Sequence, residues 1–176
     1  IMPSSLSVKE LKRTRPERLK NFRKDFRKVA EYVIVDSAAG LGPEASCAID
    51  IADELIIVTN PEMPAITDAL KAVKLAELMK KPVTGIIVTR VKKDDIELSP
   101  EVVREMLEIP ILGMIPEDDD VRKSISMKKA FVHSHPKGNA SRAYKEIAAK
   151  LIDVPYDSDK DKDKFLKRFS KWIGLD

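Results

Sequence analysis

Only one cysteine, Cys47, occurs in the 176 residues. That excludes an internal disulfide framework and any CxxC metal or redox pair, and it suits a reducing cytosol. No apolar run is long enough to span a bilayer. The opening IMPSSLSVKE has neither the basic start nor the apolar stretch of a secretory signal. Glycine is scarce as well. The six stand at 40, 42, 85, 113, 138 and 174, and none is followed by Lys and then Ser or Thr. A phosphate-cradling loop of the form G-x-x-x-x-G-K-[ST] is therefore absent from these residues. Residue 1 is Ile, which leads to the expectation that the chain as given begins inside a longer protein.

What is present is enough for one domain, since 43% apolar residues can bury a real core at this length. The formal net charge of +3 hides an uneven distribution: Val8 to Lys28 holds ten Lys/Arg against three Asp/Glu. Leu19, Phe22, Phe26 and Val29 recur through this segment at helical spacing, so the charges are read as the solvated face of a helix. A nucleic-acid or lipid footprint is the other reading.

Ser7 with Glu10 and Thr14 with Glu17 have capping-box spacing, and Pro16 suits a first helical turn, so helices are expected after both. Four short, nearly continuous apolar runs rich in β-branched residues follow, at Tyr32 to Val35, Leu55 to Thr59, Val83 to Val91 and Ile111 to Ile115. Strands covered on both faces read this way. Helical patterns lie between and after them, at Ala45 to Ala52, Ala65 to Lys80, Pro100 to Leu107 behind the N-cap Ser99, and Asn139 to Ile152. The alternation predicts an α/β fold, a mostly parallel sheet flanked by helices. Residues 155–163 read as a charged linker, which sets apart a domain over 1–154 and a terminal segment over 164–176.

Ligands of open parallel sheets gather at the carboxyl ends of the strands, where loops and helix N-termini converge. Asp36 follows the first apolar run, and four apolar residues before an Asp match the metal-side motif of P-loop NTPases. An Asp in that place also serves as a helix cap or turn residue. The neighbouring stretches sharpen the choice. DSAAGLG, VTNPEMPAITDALK, GIIVTRV, LGMIPEDDDVRKSI and NASRAYKEIAAKL occur in this order and spacing, and over nearly its whole length the sequence resembles the MinD/ParA family of P-loop NTPases.

The resemblance implies an ATP-driven, homodimerising switch that positions cell-division or related machinery, cytoplasmic and peripheral at the inner face of the cell membrane. It implies Asp36 as the carboxylate on the Mg²⁺ side, acting through water. Gly40 would lie in the loop that senses the γ-phosphate, where a glycine lets backbone approach closely. Thr89 stands where family members commonly carry an Asn that binds adenine. Ile115 to Asp119 resembles the loop around the base edge, which makes Pro116, Glu117 and Asp118 nucleotide-binding candidates. A hydroxyl offers one donor where a carboxamide offers a donor and acceptor pair, and on pattern alone Thr89 is an ordinary strand residue. The family's phosphate loop precedes the region of resemblance, so the expectation is an N-terminally incomplete P-loop fold, the C-terminal two-thirds of a MinD-like protein. Without that loop, the chain alone is expected not to hydrolyse ATP.

The chain closes on KFLKRFSKWIGLD. Phe165, Leu166, Phe169, Trp172 and Ile173 fall on one side of a helix, and Lys164, Lys167, Arg168 and Lys171 on the other. An aromatic apolar face beside cations favours the headgroup region of anionic membranes. The resemblance agrees, since MinD proteins carry a C-terminal membrane-targeting helix. A terminal helix docked on its own domain is the alternative. His133 and His135 have no third ligand at recognisable spacing. Two other functional classes remain open: a non-catalytic module that pairs with a P-loop-bearing chain, and a ParA-like DNA partition protein, although nucleic acid is not the expected partner.

Overall fold

The computed structural model describes residues 23–38, 40–92 and 94–156. Two compact units divide the chain, Ile1–Asp53 and Glu54–Asp176.

In the first unit, α1 (Arg23–Val29) and α2 (Pro43–Ile51) are the described helices. Pro43 starts α2 because its fixed φ and missing N–H suit the first turn. Arg23 and Arg27 both donate to the Asp53 carboxylate, the latter at 2.6 Å, and Lys28 pairs with Asp25 at 3.2 Å. The basic face of α1 thus answers to the unit's own carboxylates. Val29, expected on the apolar side, is 80% exposed, which corrects that part of the reading. The capping boxes at Ser7 and Thr14, with Leu19 and Phe22, lie outside the described residues.

Tyr32 to Val35 does not form a strand. The segment runs without ladder pairing, and all four side chains are exposed, Ile34 at 73%. β-branched residues favour extended backbone, but strand stability comes from cross-strand neighbours. Among the described residues no strand pairs with this segment.

The second unit holds a three-stranded parallel sheet in the order β1 (Leu55–Thr59), β2 (Val83–Val91), β3 (Ile111–Pro116). These are the expected strands, with β3 one residue longer. The helices α3 (Met63–Leu78), α4 (Pro100–Leu107) and α7 (Asn139–Leu151) also match within two residues, and two short ones, α5 (Asp120–Ser126) and α6 (Phe131–Ser134), are additions. Ser99 caps α4 as expected, its Oγ accepting from the Val102 amide at 3.4 Å.

One face of the sheet packs Ile86, Val88 and Val91, with Ile57, against Ile66 and Ala69 of α3 and Val103 and Leu107 of α4. The other sets Ile87, Leu112 and Ile115 against Ala140 and Ile147 of α7. Gly113 lets α7 come close: a Cβ there would lie 2.4 Å from Ile147 Cγ1. Among the described residues β1 pairs only with β2. Its Ile56 and Val58 are exposed, Val58 at 63%.

Candidate functional site

The carboxyl ends of β2 and β3 bring together Thr89, Pro116, Glu117 and Asp118. The Glu117 amide donates to the Val91 carbonyl at 3.0 Å, tying the two strand ends. The β2–β3 register jumps from Val88↔Met114 to Val91↔Pro116, so β2 carries one extra residue. Arg90 within this bulge has φ 59, left-handed backbone that a non-glycine residue adopts at some cost. Arg90 and Lys92 reach the two oxygens of Glu117, at 3.8 Å and 3.5 Å. Sequence reasoning missed both cations, because a bulge leaves no trace in an apolar pattern.

Thr89 is half-buried, and its hydroxyl donates to the Thr59 carbonyl of β1 at 3.0 Å. Asn60 follows Thr59, and its Oδ1 is buried without a hydrogen-bond donor among the described residues. Such an orphan acceptor is uncommon in a native fold, and only the three-dimensional arrangement discloses it. Asp118 has local duties: its Oδ1 accepts from the Asp120 amide at 3.1 Å and its carbonyl from the Val121 amide at 3.0 Å, so it starts α5. Its other oxygen borders Gly138, where a Cβ would approach Asp118 Oδ2 to 3.3 Å and Phe131 Cζ to 3.0 Å. The turn carrying Gly138 is held by Lys145, 7% exposed, whose Nζ donates to the Pro136 carbonyl at 2.9 Å. Burial, and next the charge of Arg142, push the Lys145 ammonium below the usual lysine range.

Asp36 and Gly40 belong to the first unit. Asp36 follows the exposed segment Tyr32 to Val35, which is not a strand, so it does not stand at the end of a sheet strand as expected. Gly40 has φ +85, and nothing lies within 4 Å of a Cβ built there. The left-handed backbone is itself a reason for glycine at this position. The exposed Asp36 carboxylate fits Mg²⁺, a hard cation that takes one or two carboxylates and completes its shell with water and phosphate oxygens. Among the described residues no group of three or more His, Cys, Asp and Glu is arranged to hold a metal. His135 stacks on Phe131 with ring centroids 5.3 Å apart, a packing role. No described helix is long and apolar enough to cross a membrane. Lys164 to Lys171, with Phe165, Leu166, Phe169, Trp172 and Ile173, lie outside the described residues.

A parallel sheet between helices, with polar side chains gathered where the strands end, defines the open-sheet α/β class of protein, whose ligands gather at the carboxyl ends of the strands. A family model described as 4Fe-4S iron sulfur cluster binding proteins, NifH/frxC family, matches residues 17–161, and the chain belongs to this MinD/ParA-like P-loop family. It is 36% identical to the ATP-binding protein MJ0547 of Methanocaldococcus jannaschii over 98% of its own length and 66% of the relative's. It is 30% identical to the septum site-determining protein MinD of Bacillus subtilis over 78% of its length and 53% of the relative's. The structure of the septum site-determining protein MinD of Pyrococcus horikoshii, complexed with Mg-ADP, shares the fold with a TM-score of 0.79 at 24% identity, over 85% of this chain and 61% of that one. The chain thus spans two thirds or less of the lengths of these relatives. The iron–sulfur cluster of the family description does not fit these residues. Such a cluster is held by several thiolates, and the single Cys47 is 6% exposed inside α2.

Proposed function

We propose that the chain carries the base-binding and metal-facing parts of an ATP-dependent, homodimerising switch that works at an anionic membrane surface in cell division or a related positioning task. The observation that supports it best is the convergence of Thr89, Glu117 and Asp118 at two adjoining strand ends, tied by the Glu117 amide to the Val91 carbonyl. In this reading Thr89 and the Pro116–Asp118 loop meet the base, and Asp36 faces Mg²⁺ through water. Bound Mg-ATP would bring the phosphoanhydride and a charge-neutralising cation. The relatives' descriptions as ATP-binding and septum site-determining proteins point the same way.

Phosphoryl transfer depends on positioned amide donors and cations around the transferred group. The sequence has no G-x-x-x-x-G-K-[ST] motif to form such a cradle. Losing a single transition-state donor costs about 10²-fold or more in rate, so the isolated chain is expected to show no ATPase activity above background with Mg²⁺. Steady phosphate release that disappears in Asp36→Ala would overturn this.

A second reading, a non-catalytic module that pairs with a P-loop-bearing chain, is favoured by the outer edge of β1, unpaired among the described residues and flanked by exposed Ile56 and Val58. An open edge of this kind readily accepts another strand. DNA partition is not favoured, because Arg23, Arg27 and Lys28 already face Asp53 and Asp25.

A further inference from the structure

We propose that the exposed end of α5 is a membrane contact on the folded part of the chain, separate from the terminal segment: a basic tip with two apolar side chains that meets anionic lipid headgroups. This rests on the membrane reading given above. Ile125 and Met127, 69% and 49% exposed, both stand at the C-terminal end of α5. Single apolar side chains on a surface need no explanation, but two at one tip, flanked by charge of one sign, suit an interaction site. The cations are Arg122, one turn earlier on the side of Ile125, and Lys128 and Lys129 just beyond, all exposed. Lys123 is paired with Asp120, whereas no carboxylate among the described residues pairs with Arg122, Lys128 or Lys129. The acidic run Asp118 to Asp120 lies at the other end of the helix, about 10 Å away.

The tip is held in shape. The Lys128 amide donates to the Ile125 carbonyl at 3.0 Å and the Lys129 amide to the Ser124 carbonyl at 3.1 Å, a closed turn that commonly has glycine at its left-handed position. Lys128 occupies that position with φ 53, so a cation stands where glycine would fit with less strain. The attraction of cations for a helix C-terminus explains part of this charge, but it gives no reason to expose Ile125 and Met127. Shape decides between a bilayer and a protein as the partner. A stable protein interface buries about 800 Å² on each side, more than the end of a seven-residue helix presents. A bilayer needs no matching surface: the apolar tips enter the acyl boundary while the cations stay among the phosphates.

The test uses the full chain and vesicles of equal parts phosphatidylglycerol and phosphatidylcholine, read by co-sedimentation. One cation near such a surface corresponds to about fivefold in binding. Lys128→Gly suits the left-handed turn and removes the charge, so it should bind about fivefold more weakly, and with Lys129→Gln added about 25-fold. Met127→Gln should weaken binding too, whereas Leu78→Gln, at an exposed apolar residue on α3, should not. In nanodiscs of the same lipids bearing nitroxide headgroups, the labelled Met127 methyl should broaden more than that of Met114 within the sheet. Unchanged affinity in the double variant, equal losses in Met127→Gln and Leu78→Gln, or equal broadening of the two methyls would overturn the inference while binding through the terminal segment stands. A double variant that loses polyglutamate but keeps its lipid would overturn it as well, and would make the partner an acidic protein. Should the unmodified chain ignore these vesicles, the membrane reading falls, and the inference with it.

Discussion

Replacing Gly113 by Ala puts a methyl group into space that Ile147 already fills. The new carbon would lie 2.4 Å from Ile147 Cγ1 and 2.6 Å from Cδ1, where carbon atoms pack best at about 3.5–4.0 Å. Ile147 is 4% exposed and wedged with Ile115 and Ala140, so it cannot swing clear, and α7 must lift from β3 by about 1 Å. Alanine in a strand interior normally improves on glycine by about 0.5–1 kcal/mol. Overpacking costs about 1–3 kcal/mol, which offsets that gain and leaves a net loss of about 0–2.5 kcal/mol. Urea denaturation followed by far-ultraviolet circular dichroism measures it. Fluorescence would not serve, since the one tryptophan, Trp172, is in the C-terminal segment. The decisive measurement adds Ile147→Ala, which alone costs about 2–5 kcal/mol through the cavity it leaves. In the double variant the methyl introduced by Gly113→Ala enters that cavity, so the pair should be more stable than the sum of the single effects by about 1–2 kcal/mol. Additivity within about 0.5 kcal/mol would refute the claim that this contact sets the α7–β3 spacing.

Two further outcomes follow from features elsewhere in the chain. Burial holds the Lys145 pKa below its ordinary value, so between that lowered value and about 10.4 the unfolded chain binds more protons and stability rises with pH. The stability of the wild type relative to Lys145→Met should therefore improve on going from about pH 8 to about pH 10, and a flat difference in urea titrations would count against a buried ammonium. For the C-terminal segment, co-sedimentation with vesicles should require anionic lipid and fail in Trp172→Glu; equal pelleting with neutral lipid would reject the membrane reading.

The sheet could be read from the amino acids because β1, β2 and β3 are short, almost continuous apolar runs that stand out from the charged helices around them, even though Ile56 and Val58 of β1 are exposed. Ser99 announced its helix for a local reason, since a cap and the amide it serves are three residues apart. Tyr32 to Val35 misled for the opposite reason: the residues carry the preference, while the neighbours that would realise it are not among the described ones. At the site, Thr89 and the Pro116–Asp118 loop were recognisable only through family resemblance. The commitment of the Thr89 proton, the orphaned Asn60 oxygen, the cations on Glu117 and the burial of Lys145 each depend on residues distant in sequence, and no short window contains them.

The extra residue at the tip of β2 has a consequence for how this chain tolerates change in length. Val88 and Val91 are three apart, yet both enter the same apolar cluster, because the bulge resets the alternation and turns Arg90 outward. Removing one of the two residues between them would give a plain strand with both valines on one face and Val91 still opposite Pro116, whereas adding one would put them four apart, again on one face but with Val91 carried past the end of β3. The strand tip should therefore absorb a shortening by one residue more readily than a lengthening, whichever residue is taken out or put in.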